Sequence, residues 1–524
     1  MSDAAKASTN RKLFRSSLVV GSMTMLSRVL GLVRDIVLAT MFGAAANADA
    51  FFIAFRIPQF LRRLFAEGAF SQAFVPVLSE YRTNRSFAEV KALVDAVSGV
   101  LGGALLAVTG LTIVAAPVVT LVFAPGFAQV PEKLALTTEM IRITFPYLFF
   151  ISMTGFAGAV LNSYSRFWVP AFTPVWLNLS LIGGAVLASP YFQEPVFALA
   201  WAVFLAGLIQ MLFQLPFVAR LHLVPRPRFD PRHDGVRRIL RLMLPALFGV
   251  SVSQINLMLD TILASFLPTG SVSWLYYSER LSELPLGVFG IAIATVILPG
   301  LSREYSTESA VEFRHTLDWA IKMILVIGVP AGLALLILAE PILVTLFQYG
   351  ALSPRDVDMA ALSLRAMALG LPAFMLIKVL ATAYYSRQDT ATPVAIGIKA
   401  MIANMVMNLV FVIPLHMLWQ VGHAGLALAT TGAAYLNAGL LLRGLVKREI
   451  YRPETGFGTD LARISGAALA MSVGLGLALP WLAELASFGW WQRAGQLAAV
   501  CIGGLLVYFG ALLLSHPRFL RRPG

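Results

Sequence analysis

Five arginines sit deep inside otherwise apolar stretches of this sequence: Arg28, Arg34, Arg62, Arg63 and Arg280. A lipid-facing arginine near the middle of a spanning helix costs about 2.5–3.5 kcal/mol. Five together would cost on the order of 12–18 kcal/mol, more than the net stability of a typical fold. Such residues must line a hydrated cavity or pair with buried acids, and acids occur nearby at helical spacing. Arg28 and Asp35 share a helix face, with Arg34 about 100° away. Arg56, Arg63 and Glu67 fall on one stripe with Arg62 beside it, and Glu283 lies one turn beyond Arg280 and next-door Glu279. Two chemistries fit: ion pairs within or between helices, or an anion-binding cavity whose acids hold the guanidiniums in place. The planar fork of arginine binds phosphate oxygens bidentately, so the anion would carry phosphate.

Bond-making chemistry has no comparable support. The chain contains no phosphate-cradling nucleotide loop, no paired-histidine zinc motif and no nucleophile elbow. Its six histidines are scattered, and His416 and His423, flanking one connection, are expected to be solvated. The lone Cys501 excludes an intramolecular disulfide and an all-cysteine metal site. Binding and movement of an anion, not catalysis, is the expectation.

The elements that must position these arginines follow from composition. The 524 residues are 58% hydrophobic and 13% charged, with mean hydropathy +0.77. Soluble chains carry about 25% charged residues, so a soluble enzyme and a disordered scaffold are both excluded. Apolar runs long enough to span a bilayer predict an all-α polytopic membrane protein of about fourteen spans: 16–40, 50–78, 92–116, 135–161, 170–188, 196–219, 238–266, 272–300, 318–346, 359–384, 392–414, 421–442, 461–482 and 493–514. In alternate connections, twenty-six Lys and Arg fall on one side and three (Lys133, Arg355, Arg493) on the other. The basic side is cytoplasmic by the positive-inside rule, which places both termini there. The net charge of +13 is thus a topology signal, and nucleic acid is not an expected partner.

The two halves of the chain echo each other. Phe74 to Tyr81, containing Pro76, Leu78, Ser79 and Glu80, resembles Ile297 to Tyr305, containing Pro299, Leu301, Ser302 and Glu304. Ser165-Arg166 with Thr173-Pro174 likewise resembles Ser386-Arg387 with Thr392-Pro393. An offset near 220 residues fits two six-helix lobes of the same orientation, related by a pseudo-two-fold axis along the membrane normal. The expected organisation is an N-lobe at 1–219, a basic linker at 220–237, a C-lobe at 238–446 and a C-terminal helix pair at 447–524. Transporters built from repeats place substrate at the repeat interface and alternate its access.

Specific runs carry a family resemblance. Ser27-Arg28-Val29-Leu30-Gly31, Arg34-Asp35, Asp49-Ala50-Phe51-Phe52, the unbroken run from Leu61 to Pro76, Gly270 to Tyr277 with Arg280, and Tyr385 to Asp389 resemble the MurJ (MviN) lipid II flippases over essentially the whole chain. These belong to the multidrug/oligosaccharidyl-lipid/polysaccharide exporter superfamily. The resemblance implies export of undecaprenyl-pyrophosphate-linked peptidoglycan precursor across a bacterial cytoplasmic membrane. It implies substrate-binding roles for Arg28, Arg34, Arg62 and Arg280, matches Asp49, Ser273 and Glu283 to positions implicated in the family, and assigns the last two spans a groove for the polyprenyl tail. Asp35, Arg63 and Glu67 are expected to support the arginines. Some relatives bind sodium near span 7, which makes Asp260 with Asn404 or Asn408 a candidate cation site, against a plain buried hydrogen bond. The coupling cation would be sodium or a proton, or membrane potential alone would drive export.

The expected partners are lipid II and membrane lipids, with wall-synthesis enzymes as a candidate complex and a monomeric chain. Two other functions remain open on the sequence: export of another polyprenyl-linked oligosaccharide, and a non-transporting scaffold for wall synthesis.

Overall fold

The computed structural model describes residues 3–307 and 309–515, apart from the side chains of 3–18, 65–67, 246, 248–250, 252 and 253. The Glu67 side chain, the first four basic residues and the terminal Arg518, Arg521 and Arg522 therefore lie outside the described residues. Among the described residues every regular element is helical. Eleven helices are long and apolar enough to cross a membrane, against the fourteen spans expected. The three candidates not among them, 16–40, 50–78 and 238–266, are helical and hold the singled-out charges Arg28, Arg34, Arg62 and Asp260. The chain is a multi-pass membrane protein, with residues such as Leu111, Val114 and Leu514 exposed as lipid-facing side chains are.

Contacts divide the chain into two compact units, Met1–Thr269 and Gly270–Gly524. The first comprises α1 (Asp3–Phe42), α2 (Ala46–Leu61), a π-helical stretch (Arg62–Phe70), α3 (Ser71–Asn84), α4 (Phe87–Val114), α5 (Ala116–Phe123), α6 (Pro131–Thr144), α7 (Tyr147–Ser163), α8 (Trp168–Gly183), α9 (Phe197–Ala219) and α10 (Asp234–Ala264). Helix α10 belongs to the first unit because it lies against the π-helical stretch and α3. The second unit comprises α11 (Ser271–Pro285), a short π-helical stretch (Leu286–Gly290), α12 (Ile291–Ser306), α13 (Ala310–Phe347), α14 (Pro354–Tyr385), α15 (Ala391–Trp419), α16 (Gly422–Lys447), α17 (Phe457–Ala478) and α18 (Trp490–Ser515).

The repeat legible in sequence recurs in local geometry. Two of the three described π-helical stretches begin at Arg62 and Leu286, an offset of 224, and the third runs from Gly184 to Ala188. Ser165 and Gln388 both adopt positive φ (60° and 61°), 223 residues apart, each closing the end of a helix. In both turns the residue that follows donates its N–H five residues back, Arg166 to the Leu161 carbonyl and Asp389 to the Tyr384 carbonyl. This is the six-to-one bond of a left-handed helix cap. The cores match too. Phe74 and Leu78 anchor the first, with Phe74 against Phe156 at 5.2 Å, and Ile297 and Leu301 anchor the second.

In each unit an aspartate on a long helix also holds a connecting segment. Asp95 on α4 accepts from the Arg226 N–H at 2.7 Å and is paired with Lys91. The strap approaches so closely that a Cβ on Gly99 would meet the Arg228 carbonyl oxygen at 2.2 Å. At the matching position of α13, Asp318 accepts from the Tyr451 hydroxyl at 2.7 Å and pairs with Lys322 at 2.9 Å.

Candidate functional site

In the first unit, α1 carries two arginines with different surroundings. Arg28 is partly exposed and makes no hydrogen bond or ion pair among the described residues. Arg34 is buried, 6% exposed, and donates Nε and Nη2 to Asp35 Oδ1 at 2.9 and 2.7 Å. Its Nη1 donates to Asn178 Oδ1 at 3.0 Å, and Asn178 Nδ2 donates to the Ser27 carbonyl at 2.9 Å. The guanidinium thereby fastens α1 to α8. Shared helix-face geometry pointed Asp35 toward Arg28; instead Asp35 takes the neighbouring Arg34, whose long side chain curls back on its own helix.

The column α2–π–α3 is irregular: Pro58 lies inside α2, and Arg62 and Arg63 open the π-helical stretch. Such stretches are frequent at functional sites because they rotate side chains off the regular helical face. Six residues before Arg62, Arg56 Nη1 donates to Thr261 Oγ1 on α10 at 2.7 Å. Asp49, 1% exposed, pairs with Lys133 on α6 at 2.8 Å. Lys133 Nζ also lies 4.1 Å from the centroid of the Phe127 ring. Lys133 was expected in an outer connection; it is buried because Asp49 and Phe127 together replace its water.

In the second unit, α11 starts from Gly270 in the left-handed conformation and carries Ser273, fully buried, and Arg280. Arg280 Nη1 meets Glu283 Oε2 at 3.3 Å, the one-turn pair the spacing predicted, with both side chains substantially exposed. Trp274 Nε1 donates to Asp356 Oδ1 at 2.9 Å, and its ring lies 4.9 Å from that of His423. The expectation of a solvated His423 is wrong: it is 0% exposed, with Nε2 against the Met359 carbonyl at 3.0 Å. Arg493 is likewise no loop residue. It is 7% exposed and donates to four carbonyls, of Phe488, Val344, Gln348 and Ala486.

Of the candidate cation ligands, Asp260 is buried on α10 of the first unit, while Asn404 and Asn408 are buried on α15 of the second. Neither polar atom of the Asn404 amide has a hydrogen-bond partner among the described residues. No group of three or more His, Cys, Asp or Glu is placed to hold a metal among the described residues. Between α17 and α18 lies a cavity of about 700 Å³ lined by residues including Gly474, Leu475, Trp481, Gly503 and Gly504. Its glycines permit the width, and its walls are apolar.

The helical units define a multi-pass membrane protein whose fold is shared with multidrug exporters. An inward-facing multidrug transporter of the MATE family aligns with a TM-score of 0.63 at 16% identity, covering 83% of this chain and 98% of that one. Closer in sequence, the structure titled "Lipid II flippase MurJ, inward closed conformation" aligns with a TM-score of 0.80 at 26% identity, covering 96% and 100%. The family model "Lipid II flippase MurJ" matches residues 38–488. A probable lipid II flippase MurJ of Vibrio cholerae is 47% identical over 98% of both chains, and the lipid II flippase MurJ of Burkholderia cenocepacia is 42% identical over 95% of this chain and 97% of its own. The chain belongs to the MurJ lipid II flippase family.

Proposed function

We propose that this protein exports lipid II from the inner to the outer leaflet of the bacterial cytoplasmic membrane by alternating access, with no chemical step, both termini being cytoplasmic. Family membership supports the substrate. The observation that carries the chemistry is Arg28, a guanidinium within a helix of apolar neighbours that no described carboxylate neutralises. A buried or half-buried charge without a partner is costly, so the ligand is its natural counter-charge. Arg28 and Arg62 of the first unit bind the pyrophosphate, and Arg280 supplies a guanidinium from the second unit to the same transport cycle. Asp35 and Asn178 hold Arg34, which serves to orient α1. Arg63, Glu67, Asp49, Ser273 and Glu283 support these groups, and the apolar groove between α17 and α18 takes the polyprenyl tail.

No nucleotide motif is needed for the energetics. With the cell interior negative, each negative charge moved outward gains about 2.3 kcal/mol per 100 mV. Asp260 is the proposed seat of a coupling cation, sodium or a proton, that resets the carrier.

The test is leaflet exchange of fluorescent lipid II in vesicles reconstituted with the purified protein. Exchange that falls at least about tenfold in Arg28→Ala and Arg280→Ala supports the reading. Unchanged exchange in both removes the anion chemistry, and no exchange by the unsubstituted protein leaves the scaffold function in its place.

A further inference from the structure

The connections 302–315, 385–391 and 443–463 meet at one end of the second unit, the end that the charge count assigns to the cytoplasm, around a cavity of about 270 Å³. Its chemistry is mixed. Glu304 on α12 is 6% exposed; its Oε1 accepts from Thr316 Oγ1 at 2.8 Å, and its Oε2 has no hydrogen-bond partner among the described residues. A buried carboxylate oxygen left open in this way is costly unless a donor fills the space beside it.

The internal repeat shows what that donor replaces. Glu304 corresponds to Glu80 in the Ser-Glu-Tyr and Ser-Arg-Glu-Tyr runs, and Glu80 is held by Arg238 of its own unit at 2.7 Å. No described residue supplies the equivalent cation to Glu304. The cavity wall facing it carries positive charge instead. The Arg387 guanidinium lies over the Tyr305 ring at 4.9 Å and near that of Phe313 at 6.0 Å, with no hydrogen bond or ion pair among the described residues. Arg448 lines the same cavity, with Nη1 on Asp389 at 2.8 Å.

A lone metal cation would meet two guanidiniums, and a lone anion would leave Glu304 unsatisfied. A ligand with both an ammonium and a phosphate meets Glu304 and the two guanidiniums together, while Glu449, also on the lining, is exposed to water. The ammonium needs N–H donors, which a quaternary amine lacks. The cavity holds the volume of about nine waters at roughly 30 Å³ each, enough for a phosphate and a two-carbon amine. Tyr305, exposed on its lining, is a residue type that favours the membrane–water boundary.

We propose that this cavity binds a phosphoethanolamine group, its ammonium on Glu304 and its phosphate on Arg387 and Arg448, and that the group is the headgroup of an inner-leaflet phospholipid. The site is distinct from the flipping arginines and does not rest on the assignment of lipid II as substrate.

The experiment titrates the full-length protein in detergent with short-chain phosphatidylethanolamine, phosphatidylcholine and phosphatidylglycerol, counting bound lipid by native mass spectrometry. The ethanolamine lipid should bind about tenfold more tightly than either of the others, the equivalent of one charge-assisted hydrogen bond. Glu304→Gln should remove that preference, and Arg387→Ala should weaken binding of the ethanolamine and glycerol lipids alike. Equal binding of the three lipids by the unsubstituted protein overturns the proposal without reliance on any variant, as does a preference that survives Glu304→Gln. Soluble O-phosphoethanolamine distinguishes the source. Competition only at far higher concentration than the lipid supports a bilayer ligand, and binding tighter than the lipid overturns the lipid assignment in favour of a soluble phosphoamine.

Discussion

Lys133 Nζ on α6 lies 2.8 Å from Asp49 Oδ2 on α2, and both side chains are at least 95% buried. Removing one partner of such a pair leaves an uncompensated charge, at a cost of about 3–5 kcal/mol, whereas removing both is far milder. Asp49→Asn and Lys133→Met should each lower the melting temperature in detergent, and the double variant should recover much of the loss. An additive double variant would contradict the pairing. The prediction bears on function as well, because Asp49 loss would then act through the placement of α2 and the arginines that follow it.

Arg28 and Arg34 lie on one helix yet should fail differently. Arg34 fastens α1 to α8 through Asp35 and Asn178, so Arg34→Ala should lower both thermal stability and lipid II exchange. Arg28 has no such contacts among the described residues, so Arg28→Ala should abolish exchange with the melting temperature within about 2 °C of the original, as surface changes of a few tenths of a kcal/mol produce. Parallel melts and exchange assays on the two variants check this.

Arg493 fixes the start of α18 to the end of α13 through the Val344 and Gln348 carbonyls and to the preceding loop through those of Phe488 and Ala486, with its guanidinium 4.6 Å from the Tyr349 ring centroid. Hydrogen bonds to a charged group contribute roughly 1.5–3 kcal/mol each and are not additive. Arg493→Ala should cost on the order of 3 kcal/mol and increase protease access to 485–493. Arg493→Lys should restore only part of it, since an ammonium cannot span four acceptors set for a planar fork.

Asp389, in the turn between α14 and α15, titrates below the usual aspartate value. Burial pushes its pKa up, but the Thr392 N–H and hydroxyl and the Arg448 guanidinium outweigh it. A depressed folded pKa means the stabilisation is complete above the ordinary value of 3.8 and is lost as pH falls through the lower folded value. The melting temperature should therefore drop on acidification below about pH 4, and Asp389→Asn should flatten that part of the profile. An unchanged acid limb would remove Asp389 as a contributor.

Much of the architecture was readable before any coordinates. Helices followed from apolar run length, and the repeat from the Pro-Leu-Ser-Glu-Tyr echo, which reappears as matched π-helical stretches and matched left-handed turns. The Arg280–Glu283 pair was readable because an i,i+3 spacing brings two side chains together on any helix. Which arginine Asp35 meets does not follow from that spacing, since neighbours at i,i+1 do not normally face each other and only the bend of the Arg34 side chain joins them. Lys133, His423 and Arg493 were assigned to watery connections from their place in the chain, and all three are buried.

The sequence by itself determined the family, the all-helical membrane class and the intramembrane arginines, because run length, residue type and helical period are local properties. Only the tertiary structure decided which charges are neutralised by the protein and which stay open: Asn178 and Asp35 close Arg34, Lys133 closes Asp49, and Glu304 keeps an unpaired oxygen where its repeat mate Glu80 has Arg238. Those partners come mostly from helices distant in the chain, and pairing between distant helices is set by packing, which no spacing along one helix encodes.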